Sequence, residues 1–473
     1  MGPASAGSTS RSASRSPHEL AAAVRADRAQ RLRAARAERA LVAADVRLGV
    51  LGERRAAAFA LRTHLEGHGR SFTAGPASVK IGPVTELPFS VEEYRDRTRR
   101  VREEMARRGV DVLYVMSPPN VLYLTGFESI WYPPRAPLGV VLATGSEEIV
   151  FLDYERHRHL VSETALFDDA VWFSYETALD TVAGAFEARG WAKGTVGIEW
   201  WTVSPGAPLV RAAAAKLRAR GATVVDGDWV VDRVRLVKSP AEVECVRKAA
   251  EIVDAAFLEI QGYIRPGRTE LQIAARLNAI MAEHGGEAPA IRTMVSAGPL
   301  VWCRTHGAPG RRPLERGDVV YVDACGVVNR YHADLCRTFS VGQDHPKARE
   351  ILEYTRGSVD AVRRAVKPGD PLDVAQRAAE AYVFARYGPE SVWWVGGYAL
   401  GIALPPNWVG HTYLSNDAWE PFTWEPGYAT NYENILFDRD EGFTASYMET
   451  LLMTADGVEA LSKLARDLIV IDC

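Results

Sequence analysis

The chain has 473 residues, room for two or three domains, with 47% hydrophobic and 25% charged residues and a net charge of −4. This balance, with no apolar run near the ~18–20 residues of a bilayer span, argues against a nucleic-acid or membrane partner. Five cysteines, Cys245, Cys303, Cys325, Cys336 and Cys473, show no CxxC spacing, which speaks against a disulfide framework or a zinc knuckle and fits a reducing cytoplasm.

Residues 1–84 differ from the rest. A Ser/Gly/Ala-rich start precedes an Ala/Arg-rich, helix-prone run, read as a disordered and helical N-terminal extension, with a targeting or partner-binding arm as the other reading. Residues 85–234 open with an amphipathic helix, VEEYRDRTRRVREEMARRG, whose Val91, Tyr94, Val101 and Met105 share one face. The apolar runs VDVLYVM, VLYLTGF, GVVLAT, EEIVFLD, TVGIEW and TVVDGDWVV follow, with the helix LVRAAAAKLRARG between the last two, a pattern that predicts a small α/β domain. Residues 235–473 start at Arg235-Leu-Val-Lys-Ser-Pro-Ala-Glu. Ser239 is placed to cap a long helix, with Pro240 at its first position and Glu242 completing a capping box. A second helix runs to about His284, and strands with Gly-containing turns and one more helix near residues 370–388 complete an α+β domain.

The blocks of this last region resemble the creatinase, prolidase and methionine aminopeptidase family. RLVKSPAEVECVRKAAEIVDAAF resembles that family's entry helix, and His306-Gly-Ala-Pro309-Gly-Arg-Arg312-Pro-Leu314 its HxxPxxRxL segment. GDVVYVDACG with Asp323, YHADLCRTF with Asp334, EPGYATNYE with Glu433 and SYMETLLMT with Glu449 follow in the family's order. NVLYLTGF resembles the N-terminal domain of the creatinase and prolidase branch. The resemblance implies an α+β pita-bread C-terminal domain, preceded by a smaller α/β creatinase-type domain, in a homodimer.

Four carboxylates, Asp323, Asp334, Glu433 and Glu449, are expected to converge in apolar strands, where their repulsion must be offset by a cation, by protons or by a cationic substrate. In the family's metallopeptidases two divalent ions, held by two Asp, one His and two Glu, activate a bridging water. The resemblance therefore makes these four acids the metal-site residues. The family's GHGIG loop, however, reads Gly397-Tyr398-Ala399-Leu400-Gly401 here. A phenol titrating near ~10 is a poor ligand for such ions, and Pro405-Pro406 stands where a second histidine is usual. The expectation is one divalent ion (manganese, iron or zinc) or none. The loop GYALGIALPPNWVGHT is similar to that of the ectoine hydrolase branch, whose members, like creatinase, cleave a C–N bond without a dinuclear metal site.

His306 matches the family's general acid/base, and an imidazole near ~6.5 transfers protons in both directions at neutral pH. Glu433 and Glu449 join it as catalytic candidates, binding a cationic group or polarising water. His332 either lines the pocket or hydrogen-bonds a carboxylate; His411 lines it or lies on a surface loop. Trp131 and Tyr132 follow Thr125-Gly126-Phe127-Glu128, a loop that in this family often reaches a partner subunit's site. With Tyr398 these make the substrate-binding candidates. Trp393, Trp394, Trp408, Trp419 and Trp424 crowd the C-terminal third, and aromatic rings beside acids favour a cationic or zwitterionic small molecule. The expected activity is hydrolysis of a C–N bond in a small polar nitrogen compound. The alternatives are a metal-dependent Xaa-Pro peptidase, a metal-dependent lyase and, last, a non-catalytic binding module.

Overall fold

The computed structural model describes residues 87–130, 136–202, 204–406, 408–410, 412–413 and 420–473. The extension 1–84 and the candidates Trp131, Tyr132, His411 and Trp419 lie outside these residues. Two sheets organise the rest, and both belong to one unit.

The first sheet is built from β1 (Val112–Val115), β2 (Gly139–Ala143), β3 (Val150–Tyr154), β4 (Asp169–Phe173), β5 (Thr195–Ile198) and β6 (Thr223–Asp226), in the order β4-β3-β2-β1-β5-β6. Its strands β1, β5 and β6 run parallel; α4 (Ala178–Ala188) leads from β4 into β5, and α5 (Ala207–Ala219) makes the crossover from β5 to β6. The expected opening helix is α1 (Val91–Arg107), capped by the Ser90 hydroxyl accepting from Glu93 N. Tyr94, Val101 and Met105 are buried as the spacing predicts, but Val91 is 43% exposed. The buried face includes Arg97 instead, whose guanidinium lies 4.2–5.0 Å from the rings of Phe89, Tyr94 and Tyr123 and donates to Glu93 Oε1 and Tyr123 O. Two apolar runs read differently in three dimensions. VLYLTGF forms α2 (Pro118–Thr125), started by its prolines and ended by Gly126 at φ 78°. TVVDGDWVV splits into β6 and α6 (Val230–Leu236), with α3 (Arg158–Thr164) lying earlier in the chain.

The second sheet receives α7 (Pro240–Ile260), and the capping box is present: Ser239 Oγ accepts from Glu242 N at 3.3 Å and Glu242 Oε2 from Ser239 N at 2.8 Å. After α8 (Glu270–Glu283) come β7 (Met294–Ala297), β8 (Val319–Val328), β9 (Tyr331–Val341), α9 (Pro346–Ala365), α10 (Asp373–Val383), β10 (Val392–Ala399), β11 (Ala429–Asp438), β12 (Phe443–Thr454), β13 (Gly457–Ala460) and β14 (Ile469–Ile471). The main path is β10-β11-β12-β9-β8-β7, antiparallel throughout, with β13 on β12 and β14 parallel to β9. Helices α7 and α8 cover the β7–β9 half, and α9 and α10 cover β10–β12. The β8–β9 turn sits at Asn329 and Arg330, both at positive φ. Gly326 is a strand residue; a side chain there would collide with Ala249 O of α7.

Candidate active site

Strand register decides which candidate side chains meet. Residues paired across antiparallel strands face the same side, and alternate residues along a strand share a face. Asp323 pairs with Cys336, and Cys325 with Asp334, so both aspartates lie on one face of the β8–β9 hairpin. Cys336 pairs with Met448, Met448 with Glu433, and Asn431 with Tyr398. That face therefore carries Asp323, Asp334, Glu433, Asn431, Tyr398 and Met448.

Hydrogen bonds join these residues into one buried cluster. Asn431 Nδ2 lies 2.6 Å from Asp334 Oδ2, 2.8 Å from Glu433 Oε1 and 3.0 Å from Tyr398 Oη, three acceptors for its two hydrogens. Trp408 Nε1 donates to Tyr398 Oη at 3.1 Å, Tyr321 Oη to Asp323 Oδ2 at 2.8 Å, and the Cys325 thiol to Asp334 Oδ1 at 3.3 Å. Asp323 Oδ1 and Asn431 Oδ1 are buried with no hydrogen-bond partner among the described residues.

Burial and mutual repulsion favour the protonated forms of these acids. Burial, then the charge of Asp323, pushes the Glu433 carboxyl up to about 8, against the hydrogen bonds from Tyr398 and Asn431. Burial also raises Asp323 and Asp334, which lie within hydrogen-bonding reach of each other, and holds the Tyr398 phenol well above its ordinary range. Tyr398 is thus a neutral hydrogen-bonding group.

Glu449 is not part of this cluster, a correction to the expected four-carboxylate convergence. It pairs with Tyr432, so it points to the opposite face of the sheet from Glu433. There it forms a buried ion pair with Arg337 at 3.3 Å and accepts from Tyr447 Oη and from Ser462 N. The β12 residue that faces the cluster is Met448, whose thioether is a weak acceptor. His332 also departs from its expected pocket role. Its Nδ1 lies 2.8 Å from Arg330 O, its Nε2 accepts from Ala290 N at 3.0 Å, and burial drives its pKa down to about 3. Both ring nitrogens are committed to backbone, which makes it a neutral strut.

His306 stands apart from the hydrogen-bonded cluster. It is exposed, packs edge-on against Trp393 with centroids 4.5 Å apart, and has no hydrogen bond to a described residue. Its partial burial lowers its pKa, so the imidazole is neutral at pH 7. Its loop is fixed by Arg304, paired with the buried Glu270 at 3.0 Å and donating to Ala308 O. The tryptophans divide likewise: Trp393 beside His306, Trp408 on Tyr398, and Trp424 in the core against Tyr413 and Tyr428.

The donor set does not fit a two-ion centre. Tyr398 and Met448 are poor ligands, the Asn431 amide hydrogens occupy lone pairs of Asp334 and Glu433, and Glu449 is spent on Arg337. Among the described residues no three His, Cys, Asp or Glu side chains are grouped to hold a metal ion. Asn431, Met448 and Arg337 were not among the sequence candidates, and Trp408 was named only as one of the C-terminal tryptophans. The two-residue spacing of Asn431 and Glu433 marks them for one strand face, whereas Met448 emerges only from register.

Two family models match the chain: the creatinase/prolidase N-terminal domain over residues 97–237 and metallopeptidase family M24 over residues 244–455. The ectoine hydrolase of Halomonas elongata is 27% identical over 416 residues, covering 81% of this chain and 98% of that protein. The Xaa-Pro dipeptidase of Pyrococcus furiosus is 25% identical over 388 residues, covering 79% and 100%. The crystal structure of the prolidase from Pyrococcus horikoshii OT3 shares the fold, with a TM-score of 0.66 at 22% identity over 79% of this chain and all of that one. With both domain models matched in order over the two sheets, the chain belongs to the creatinase/prolidase family of hydrolases.

Proposed function

We propose that the chain hydrolyses a C–N bond in a small polar nitrogen compound, without a two-metal centre. One observation carries this reading: Tyr398, Asn431 and Met448 occupy the cluster face beside Asp323, Asp334 and Glu433, so hydrogen bonds and protons stabilise the acids in place of ions. The two open acceptors, Asp323 Oδ1 and Asn431 Oδ1, suit N–H groups of an amidine, cyclic or amide-bearing substrate. The similarity to the Halomonas elongata ectoine hydrolase supports the same substrate class.

In this mechanism the neutral His306 takes a proton from water as the water oxygen bonds to the carbon of the scissile bond. The C–N bond then breaks, and the same imidazole returns the proton to the departing nitrogen. Glu433, carrying a proton at neutral pH, donates a hydrogen bond to the charge that develops at the carbon's substituent. The reading includes a homodimer, as the family resemblance implies, and a cationic or zwitterionic small molecule as substrate.

A panel of cyclic amidines, ureas and N-acyl amines, run beside Xaa-Pro dipeptides with and without EDTA, tests it together with elemental analysis. Turnover of the small amides or amidines is expected, undiminished by chelator. Two ions per chain, with dipeptide cleavage lost to chelator, would establish the peptidase instead.

A further inference from the structure

A cavity of about 350 Å³ lies outside the acidic cluster, walled by the start of α2, the segment from Asp228 to Arg235, the entry to α7 and the backbone on both sides of the loop after β10. Asp323, Asp334 and Glu433 do not line it. Lys238 does, and it is 6% exposed. Its ammonium has three donors but one hydrogen bond among the described residues, to Leu236 O at 3.1 Å; it also lies 5.8 Å from the Tyr428 ring centroid and feels the charge of Glu242. A buried lysine so sparsely paired is costly unless something else meets it, and burial drives its pKa down to about 7.

Groups of opposite character share the wall. Asp228 is held by the backbone N–H groups of Trp200 and Trp201. Asp232 accepts from Asn120 Nδ2 at 3.0 Å and lies 3.6 Å from Arg235. Trp229 and Trp408 add aromatic surface. Trp229 sits at φ 65°, a left-handed conformation rarely held by a bulky residue and typical of positions fixed for function. Two cations, Lys238 and Arg235, four carboxylates, Glu199, Asp228, Asp232 and Glu242, and indole rings line this one small cavity, and together they match a ligand carrying both charges.

We propose that this cavity is a second small-molecule site, for a compact zwitterion whose carboxylate meets Lys238 and whose cationic nitrogen meets Asp228, Asp232 and the tryptophans. The site is independent of the reaction assigned to the acidic cluster. An occupant touches Trp408, whose Nε1 bonds Tyr398, and so adjoins the active site through one side chain.

Titration calorimetry of the full chain with trimethylglycine tests the proposal, with acetate and tetramethylammonium as probes bearing one charge each. Trimethylglycine is expected to bind at least tenfold more tightly than either. Lys238→Met and Asp232→Asn should each weaken it at least tenfold, while Glu433→Gln leaves it unchanged; thermal melts of all three report folding. Should Lys238→Met not fold, Asp232→Asn carries the test. No binding to the wild type, undiminished binding by the folded variants, or loss in Glu433→Gln alone would overturn the assignment.

Discussion

The Asn431 amide has two hydrogens and three acceptors within reach, so the short contacts to Asp334 and Glu433 take them. Tyr398 Oη is then held chiefly by Trp408 and is free to donate to Glu433. This arrangement leaves two positions, Tyr398 and Met448, between the cluster and a metal centre of two Asp, one His and two Glu. The double variant Tyr398→His/Met448→Glu is expected to gain a manganese-dependent rise in melting temperature that the wild type lacks, and to melt lower than wild type without metal, because an extra buried carboxylate then has no counter-ion. Equal manganese responses in the two proteins would refute the register argument. In the proposed mechanism His306 acts from outside the cluster. Its pKa is lowered, so in that mechanism it is the neutral base at pH 7 and becomes a spent imidazolium as pH falls below the ordinary imidazole range. Activity should fall along that acid limb, and His306→Ala should cost about 10²–10⁴-fold in kcat while keeping the wild-type melting temperature. A variant retaining full turnover would remove His306 from the chemistry.

Strands β9 and β12 meet at the centre of the sheet with one ladder pair, Cys336 with Met448, and side chains complete the seam. Thr450 Oγ1 accepts from Asp334 N and donates to Asp334 O, both at 2.8 Å. Thr338 Oγ1 serves Ser446 in the same way at 3.1 Å, and Arg337 donates to Cys336 O and Met448 O. Two threonines and one arginine thus fix the height of Asp334 above the cluster. Thr450→Val keeps the volume and strands both buried backbone groups of Asp334, at a cost of about 1–3 kcal/mol each at most. Chemical denaturation should show that loss, and turnover should fall with it because Asp334 is no longer held against Asn431; Ser at the same position should recover most of both. This seam also marks where sequence reading reaches its limit. The alternating apolar pattern of SYMETLLMT identifies a strand, and the motif order draws attention to Glu449. A strand's period is two, however, and which parity faces the cluster depends on its pairing with neighbours some 15 and 110 residues away. One position of register exchanges Glu449 for Met448.

At the scale of the molecule the order of elements was legible, because capping boxes, Gly-ended helices and apolar strands are local signals. The Ser239 cap and three of the four residues assigned to the α1 face, Tyr94, Val101 and Met105, came directly from spacing. The errors arise where tertiary contacts override pattern: Arg97 is buried by three aromatic rings, and the apolar run beyond β6 turns into α6 at Trp229. The inter-sheet cavity was not legible at all, since its wall is assembled from segments up to about 290 residues apart. Lys238 stands where the two sheets' regions join, its backbone N–H donating to Gly427 O beside the Val237–Tyr428 bridge. Its amine has a pKa of about 7 in the folded chain and ~10.4 when unfolded. Between those values the unfolded chain holds a proton on Lys238 that the folded chain has lost, so stability rises with pH across the window and falls away as pH drops toward 7. Methionine at this position keeps the packing and deletes the titration. The melting temperature of Lys238→Met relative to wild type should therefore be most favourable near pH 7 and should decline steadily toward pH 10, the difference across the window corresponding to a few kcal/mol. A difference independent of pH would show that Lys238 keeps its proton in the folded chain.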